Sequence, residues 1–188
     1  EFERFARRII DMCFSHPSYY KIDGEPVFSI YDMSNLILGL GGPDMTIETL
    51  EWFRDETIKS GFPGLHLQFI KWGKEQFNFS GLDKDETAAP NRLLNSLGFS
   101  SSTHYQFAHF TDIDRDYTDI VADVVGEWKS IEAEYDIPYF PHISLGWDNN
   151  PRFKEFKPGV VRNATPANIR MALEKARDFI DNHPNQTP

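Results

Sequence analysis

Four short, nearly continuous apolar runs, each separated from the next by a helix-length amphipathic stretch, set what this chain can become. A run of four to eight apolar residues is a strand buried on both faces, and a 3, 4, 7 spacing of apolar residues is a one-sided helix. Residues 2–15 place Phe2, Phe5, Ala6, Ile9, Met12 and Cys13 on one helical stripe, which His16-Pro17 ends. The Asp23-Gly24 turn then feeds a first strand over Pro26–Tyr31. Met33–Pro43 reads as a loop or short helix, and Thr46 caps a helix through Ile47, Leu50, Phe53 and Ile58 that Gly61 stops. A second strand follows over Gly64–Ile70, then a polar aromatic loop over Lys74–Lys84 and a weaker helix over 86–97. Ser102–Phe107 is the third strand. The clearest helix spans 116–135, on Tyr117, Ile120, Val121, Val124, Trp128 and Ile131. Ile137–Leu145 is the fourth strand, and a last helix opens at Thr165-Pro166 with Ile169, Leu173, Ala176 and Ile180 inward.

Helices alternating with short apolar strands predict an α/β fold with parallel strands covered by helices. The long aromatic loops all follow strands, so the working face is expected at the carboxyl ends of the strands. No glycine-rich turn opens a helix directly after a strand; Gly39-Leu40-Gly41-Gly42 comes nearest and reads as loop. Four strand-helix units are half of a (β/α)8 TIM-type barrel, which takes about 250 residues. The expectation is a single α/β domain over 1–188, cut from a longer barrel. The absence of an initiating Met before the helical pattern at Glu1 agrees with a processed or partial polypeptide.

With 19 Lys and Arg against 29 Asp and Glu, the net charge of −10 argues against nucleic acid as a partner. No apolar run approaches the roughly 20 residues needed to span a bilayer, so a soluble chain without a membrane span is expected. Cys13, the only cysteine, sits among Ile9, Ile10, Met12 and Phe14 as a buried thiol. Glycosylation triplets at Asn78, Asn163 and Asn185 carry little weight. His104 and His109 lack a third ligand in sequence, so neither a metal nor another cofactor is expected.

The candidate chemistry gathers at Tyr139–Arg152, where an apolar run opens into Gly146, Trp147, Asp148, Asn149, Asn150, Pro151 and Arg152. An aromatic face with planar amides and a carboxylate matches a sugar, whose ring carbons are apolar and whose edge is hydroxylated. Trp147, Asp148 and Asn149 are the leading contacts; the competing reading has Trp147 packed on the rim and Asp148 clamped to Arg152. Tyr31 and Asp32 end the first strand, Lys71 and Trp72 the second, and Tyr105 and His109 the third; His142 lies within the fourth, where a core histidine is the better fit. Among carboxylates near strand ends (Asp32, Asp112, Asp114 and Asp148), the best catalytic pair within this chain is Asp148 with Asp32.

Three motifs, His16-Pro17-Ser18-Tyr19-Tyr20-Lys21-Ile22-Asp23-Gly24-Glu25-Pro26-Val27-Phe28, Gly61-Phe62-Pro63-Gly64-Leu65 and Gly146-Trp147-Asp148-Asn149-Asn150-Pro151-Arg152, resemble bacterial glycoside hydrolase family 99-like proteins of the WbsX type. Many relatives carry Thr at the position of Asn150. The resemblance implies the second half of a (β/α)8 barrel related to endo-α-mannosidases, and an oligosaccharide or polysaccharide partner. It also implies glycan cleavage or glycosyl transfer, with the principal acid and base beyond Pro188 and Asp148 positioning substrate or the rim. Gly126-Glu127-Trp128 does not replace them, since Trp128 belongs to a buried helical stripe. The alternative is a non-catalytic glycan-binding or assembly half-barrel that pairs with a second copy or a missing half. A bacterial protein of this kind belongs in cytoplasm or periplasm, and the sequence selects neither.

Overall fold

A computed structural model describes residues 1–73, 90–184 and 186. Their contacts form two compact units, one holding 1–70 and 90–102, the other 71–73 with 103–184 and 186.

The first unit opens with α1 (Phe2–Ile9), which continues as a wider π turn over Ile10–Phe14. The extra residue per turn shifts the buried face to Ala6, Ile10 and Phe14, at intervals of four, and leaves Phe5 and Met12 exposed. Both were expected on the inner stripe, and Cys13, expected buried, is half-buried. Strands β1 (Lys21–Ile22) and β2 (Glu25–Ile30) form an antiparallel hairpin. Its two-residue turn holds Asp23 and Gly24 at φ 52° and 86°, the positive pair that matches strand twist. The turn is the one expected; the short strand before it is additional.

The segment after β2 is helical. Asp32 caps α2 (Met33–Leu40), and Gly41 closes it in the left-handed region at φ 97°. α3 (Pro43–Lys59) starts at Gly42-Pro43, not at Thr46. Proline at the first helical position loses no hydrogen bond, whereas the Thr46 hydroxyl donates to the Gly42 carbonyl at 2.7 Å inside the first turn. β3 (His66–Lys71) runs parallel to β2, with Val27 opposite His66 and Ile30 opposite Phe69. The short α4 (Pro90–Ser96) leads into β4 (Ser101–His104). The Ser100 and Tyr105 amides donate to the Leu67 and Lys71 carbonyls, both at 2.8 Å, so β4 follows β3 in the same direction. The sheet order is β1-β2-β3-β4. The expected loop over Lys74–Lys84 lies outside the described residues, as do Asn78 and Asn185.

In the second unit, Asp116 caps α5 (Tyr117–Glu134), and Tyr117, Ile120, Val121, Val124, Trp128 and Ile131 are buried along it as the spacing predicts. Thr165 caps α6 (Pro166–Asp181), with Pro166 at its first position. Its inner face is turned by one residue: Ala172 is buried and Leu173 exposed. Phe179 supplies the aromatic contact, edge-on to Trp128 at 5.8 Å and to Tyr139 at 5.7 Å. The fourth strand expected over 137–145 does not form a ladder; the segment is extended, with a single bridge position at Tyr139. The result is a mixed α/β chain in which parallel strands alternate with helices.

The first unit is centred on Phe53, fully buried and in ring contact with Phe2, Phe14 and Phe28 at 5.8, 6.0 and 5.2 Å. Phe53→Ala should cost about 3–5 kcal/mol. Hydrogen exchange of the paired β2 and β3 amides reads that loss in this unit directly, and protection unchanged by the substitution would exclude Phe53 as its centre.

Candidate aromatic ligand face

Lys71 is the last residue of β3, and side chains alternate along a strand. Its ammonium is buried and held by Glu134 of α5 at 2.8 and 3.0 Å, beside Tyr135, whose hydroxyl donates to the same carboxylate at 2.8 Å. Burial, reinforced by that bond and the neighbouring charge, pushes the Tyr135 phenol well up. Lys71, expected as a ligand contact, is thus committed to the helix side. Trp72, the next residue, has the opposite setting and is 45% exposed.

Tyr105 directly follows β4, and a 3-10 turn over Phe107–His109 brings His109 back toward it. The Trp72 ring lies 5.3 Å from Tyr105 and 5.2 Å from His109, and Tyr105 and His109 are themselves 5.2 Å apart. The Trp72 indole N–H donates to His109 Nδ1 at 3.0 Å, which fixes the neutral tautomer with its proton on Nε2. Burial also lowers the His109 pKa. The series continues from His109 to Trp147 at 6.2 Å, and the Arg152 guanidinium lies 5.3 Å from the Trp147 ring centre. Five of the expected contacts, Trp72, Tyr105, His109, Trp147 and Arg152, therefore form one unbroken series.

The loop carrying Trp147 is tied to itself. The Trp147 indole donates to Asn149 Oδ1 at 2.8 Å, and the Val161 amide donates to the Trp147 carbonyl at 3.0 Å. Asp148 Oδ1 accepts from the Asn150 amide at 2.8 Å and its Nδ2 at 2.7 Å. Those two bonds, the backbone one first, hold the Asp148 carboxyl below its ordinary pKa. The expected clamp between Asp148 and Arg152 is replaced by Asn150, which also exchanges two bonds with the Lys157 backbone.

Tyr31 and Asp32 belong to the first unit. Asp32 accepts from the Asn35 amide at 3.0 Å and Nδ2 at 2.7 Å as the cap of α2. Of the other carboxylates near strand ends, Asp112 accepts the Asp114 amide and Asp114 pairs with Arg162. Among the described residues no group of His, Cys, Asp and Glu could hold a metal, and no helix is long and apolar enough to cross a membrane.

His142 faces a buried polar cluster, its Nε2 at 3.1 Å from Ser144 Oγ. Ser144 in turn donates to Gln106 Oε1 and accepts from the Phe107 amide, both at 3.0 Å. Alongside, His104 meets the Tyr139 hydroxyl through Nδ1 at 2.7 Å, while its Nε2 has no partner among the described residues. Sequence reading also passes over the segment beyond Arg152, where Phe153 is 52% and Phe156 78% exposed. Its signal is the alternation Arg-Phe-Lys-Glu-Phe-Lys inside an otherwise acidic chain.

Compared with protein-family models, the chain matches over residues 1–188 the family described as Glycosyltransferase WbsX. No curated protein and no solved structure matches it.

Burial, with a smaller contribution from the neighbouring His142, pushes the His104 pKa down to about 3, against 6.5 for a free imidazole. A depressed folded-state value means that the unfolded chain binds the proton first as pH falls. Stability from this group is complete above about pH 6.5 and is lost progressively toward pH 3, by roughly 3 kcal/mol at pH 4. Denaturation across this range should show an acid-side slope that His104→Gln flattens; an unchanged slope would assign the loss to other groups.

Proposed function

The chain belongs to the WbsX-type glycosyltransferase family across residues 1–188, and we propose that it binds and orients a glycan on the face formed by Tyr105, Trp72, His109 and Trp147. The observation that carries this reading is the continuity of the rings, spaced 5.2 to 6.2 Å. A pyranose offers an apolar face of C–H bonds that stacks on such rings, and hydroxyls around its edge that need directed partners. The neutral His109 places an N–H donor on Nε2 within the series. Asn149, oriented by the Trp147 indole, supplies an amide next to it.

Trp72 and Tyr105 stand at the carboxyl ends of parallel strands, where parallel α/β folds assemble their sites. On this reading the alternating strands and helices form part of a (β/α)8 barrel, as the resemblance to family 99-like proteins implies, and the aromatic face lies at its working end. Asn150 donates to Asp148 twice, which lowers the carboxyl pKa. A general acid needs a raised pKa, so Asp148 serves as a fixed negative charge that shapes the loop and attracts the positive charge developing on a sugar. Asp32 caps a helix and organises the β2 exit. Proton donation to a leaving group falls to neither.

Trp72→Ala and Trp147→Ala should each weaken binding of a recognised oligosaccharide about tenfold. Glycan-array screening followed by calorimetry on the hits measures this, and a nucleotide sugar added as competitor separates glycosyl transfer from cleavage. Affinity unchanged from the unsubstituted chain in both variants would sink the proposal.

A further inference from the structure

The segment beyond the ring series is locally cationic. Residues 152–157 hold Arg152, Lys154 and Lys157 against the single Glu155, in a chain of net charge −10. Two of these cations lie against rings of the same loop: Arg152 at 5.3 Å from the Trp147 centroid and Lys157 at 5.8 Å from that of Phe153. Elsewhere in the second unit Lys71, Arg115, Arg162 and Arg170 are each paired with a carboxylate, whereas Lys129, Lys175 and Arg177 have none within ion-pair distance among the described residues. Among the described residues, no carboxylate lies within ion-pair distance of Arg152, Lys154 or Lys157. The carboxylate nearest to Arg152 along the loop, Asp148, is engaged by Asn150.

We propose that Arg152, with Lys154 and Lys157 behind it, makes this site selective for acidic glycans, sugars whose ring carries a carboxylate. The inference rests on the aromatic face being a glycan site and names the class of sugar it takes. A guanidinium packed on an indole keeps its planar fork of N–H donors for a partner at its edge, and a carboxylate matches that fork with two parallel hydrogen bonds. The ring contact already restricts the long side chain, so less freedom is lost on binding. Trp147 belongs both to the ring series and to the Arg152 contact, so a sugar stacked there would bring its ring substituents next to the guanidinium. A local positive charge in a chain of the opposite sign also favours capture of an anion at this point over the rest of the surface.

The test is an array of matched neutral, carboxylate-bearing and phosphate-bearing glycans, followed by calorimetry on the best pair. Carboxylate-bearing members should bind at least about tenfold more tightly than their neutral counterparts. Arg152→Gln should bring that ratio close to one, and Arg152→Lys should restore only part of it because an ammonium lacks the fork. Raising the salt concentration should shrink the ratio as well. Glycans bound with a ratio near one, or a ratio unmoved by Arg152→Gln, overturn the acidic preference and leave the glycan site standing. A preference for phosphate over carboxylate overturns the assignment to carboxylated sugars. Binding to vesicles containing phosphatidylserine, lost in Arg152→Gln and without any acidic preference on the array, assigns the loop to a lipid surface instead. No glycan bound at all removes both readings.

Discussion

One backbone hydrogen bond sets the geometry of the candidate face. The Tyr105 amide donates to the Lys71 carbonyl at 2.8 Å, the last link between the ends of β3 and β4. Parallel pairing at that point brings the residues that leave the two strands side by side, and Trp72 and Tyr105 meet at 5.3 Å. Side-chain alternation does the rest. Lys71 is drawn under α5 by Glu134, and a residue pinned on one face directs its neighbour to the other. The buried ion pair, costly to desolvate, thereby acts as a device of orientation as well as of attachment.

His109 extends the pair into a series because the chain turns at once. The 3-10 turn over Phe107–His109 returns the imidazole to Trp72, and the close approach leaves little space at Gly73. A Cβ at Gly73 would meet the His109 carbonyl oxygen at 3.1 Å. The loop from Trp147 to Val161 is built by a different principle, a set of short-range polar ties in place of a strand. Asp148 bridges to Val160 in antiparallel fashion, and Gly159 stands at φ 103° with Asn149 Nδ2 only 3.2 Å from where a side chain would begin. Any other residue at Gly159 would be strained in its backbone and would press on the amide beside Trp147. The ring series is thus held at one end by a sheet and at the other by amides.

Much of the fold was legible because it depends on periodicity and on caps. The buried stripe of α5 from Tyr117 to Ile131 and the Thr165-Pro166 start of α6 follow from local chemistry that the sequence displays openly. Three features were not legible. The π turn over Ile10–Phe14 changes the period within one helix, and nothing in an apolar stripe announces one extra residue. The run Ile137–Leu145 reads as a strand, yet Tyr139 meets His104, Ser144 donates to Gln106, and the Ser144 carbonyl accepts from the Tyr117 hydroxyl. Partners of that kind come from distant sequence. The candidate face was legible residue by residue, since Trp72, Tyr105, His109, Trp147 and Arg152 each stood out at a strand exit or in the motif. Their assembly was not, because it rests on a parallel register that no single segment contains.

Asn150 decides how Asp148 is to be understood. The motif places an asparagine where many relatives of the resembled family carry threonine, and in the structure that amide does three things. Its backbone and side-chain N–H groups both donate to Asp148 Oδ1, its Nδ2 also reaches the Lys157 carbonyl, and its Oδ1 accepts the Lys157 amide at 2.9 Å. A threonine hydroxyl has one donor and could not hold Asp148 and both backbone groups of Lys157 together. The carboxylate is therefore consumed by loop structure, and its lowered pKa is a consequence of that role. With Asp148 engaged in this way, the Arg152 guanidinium is left on the Trp147 ring and not drawn into a local ion pair. The same asparagine that engages the Asp148 carboxylate leaves a cation on the ring of Trp147, at the end of the aromatic series.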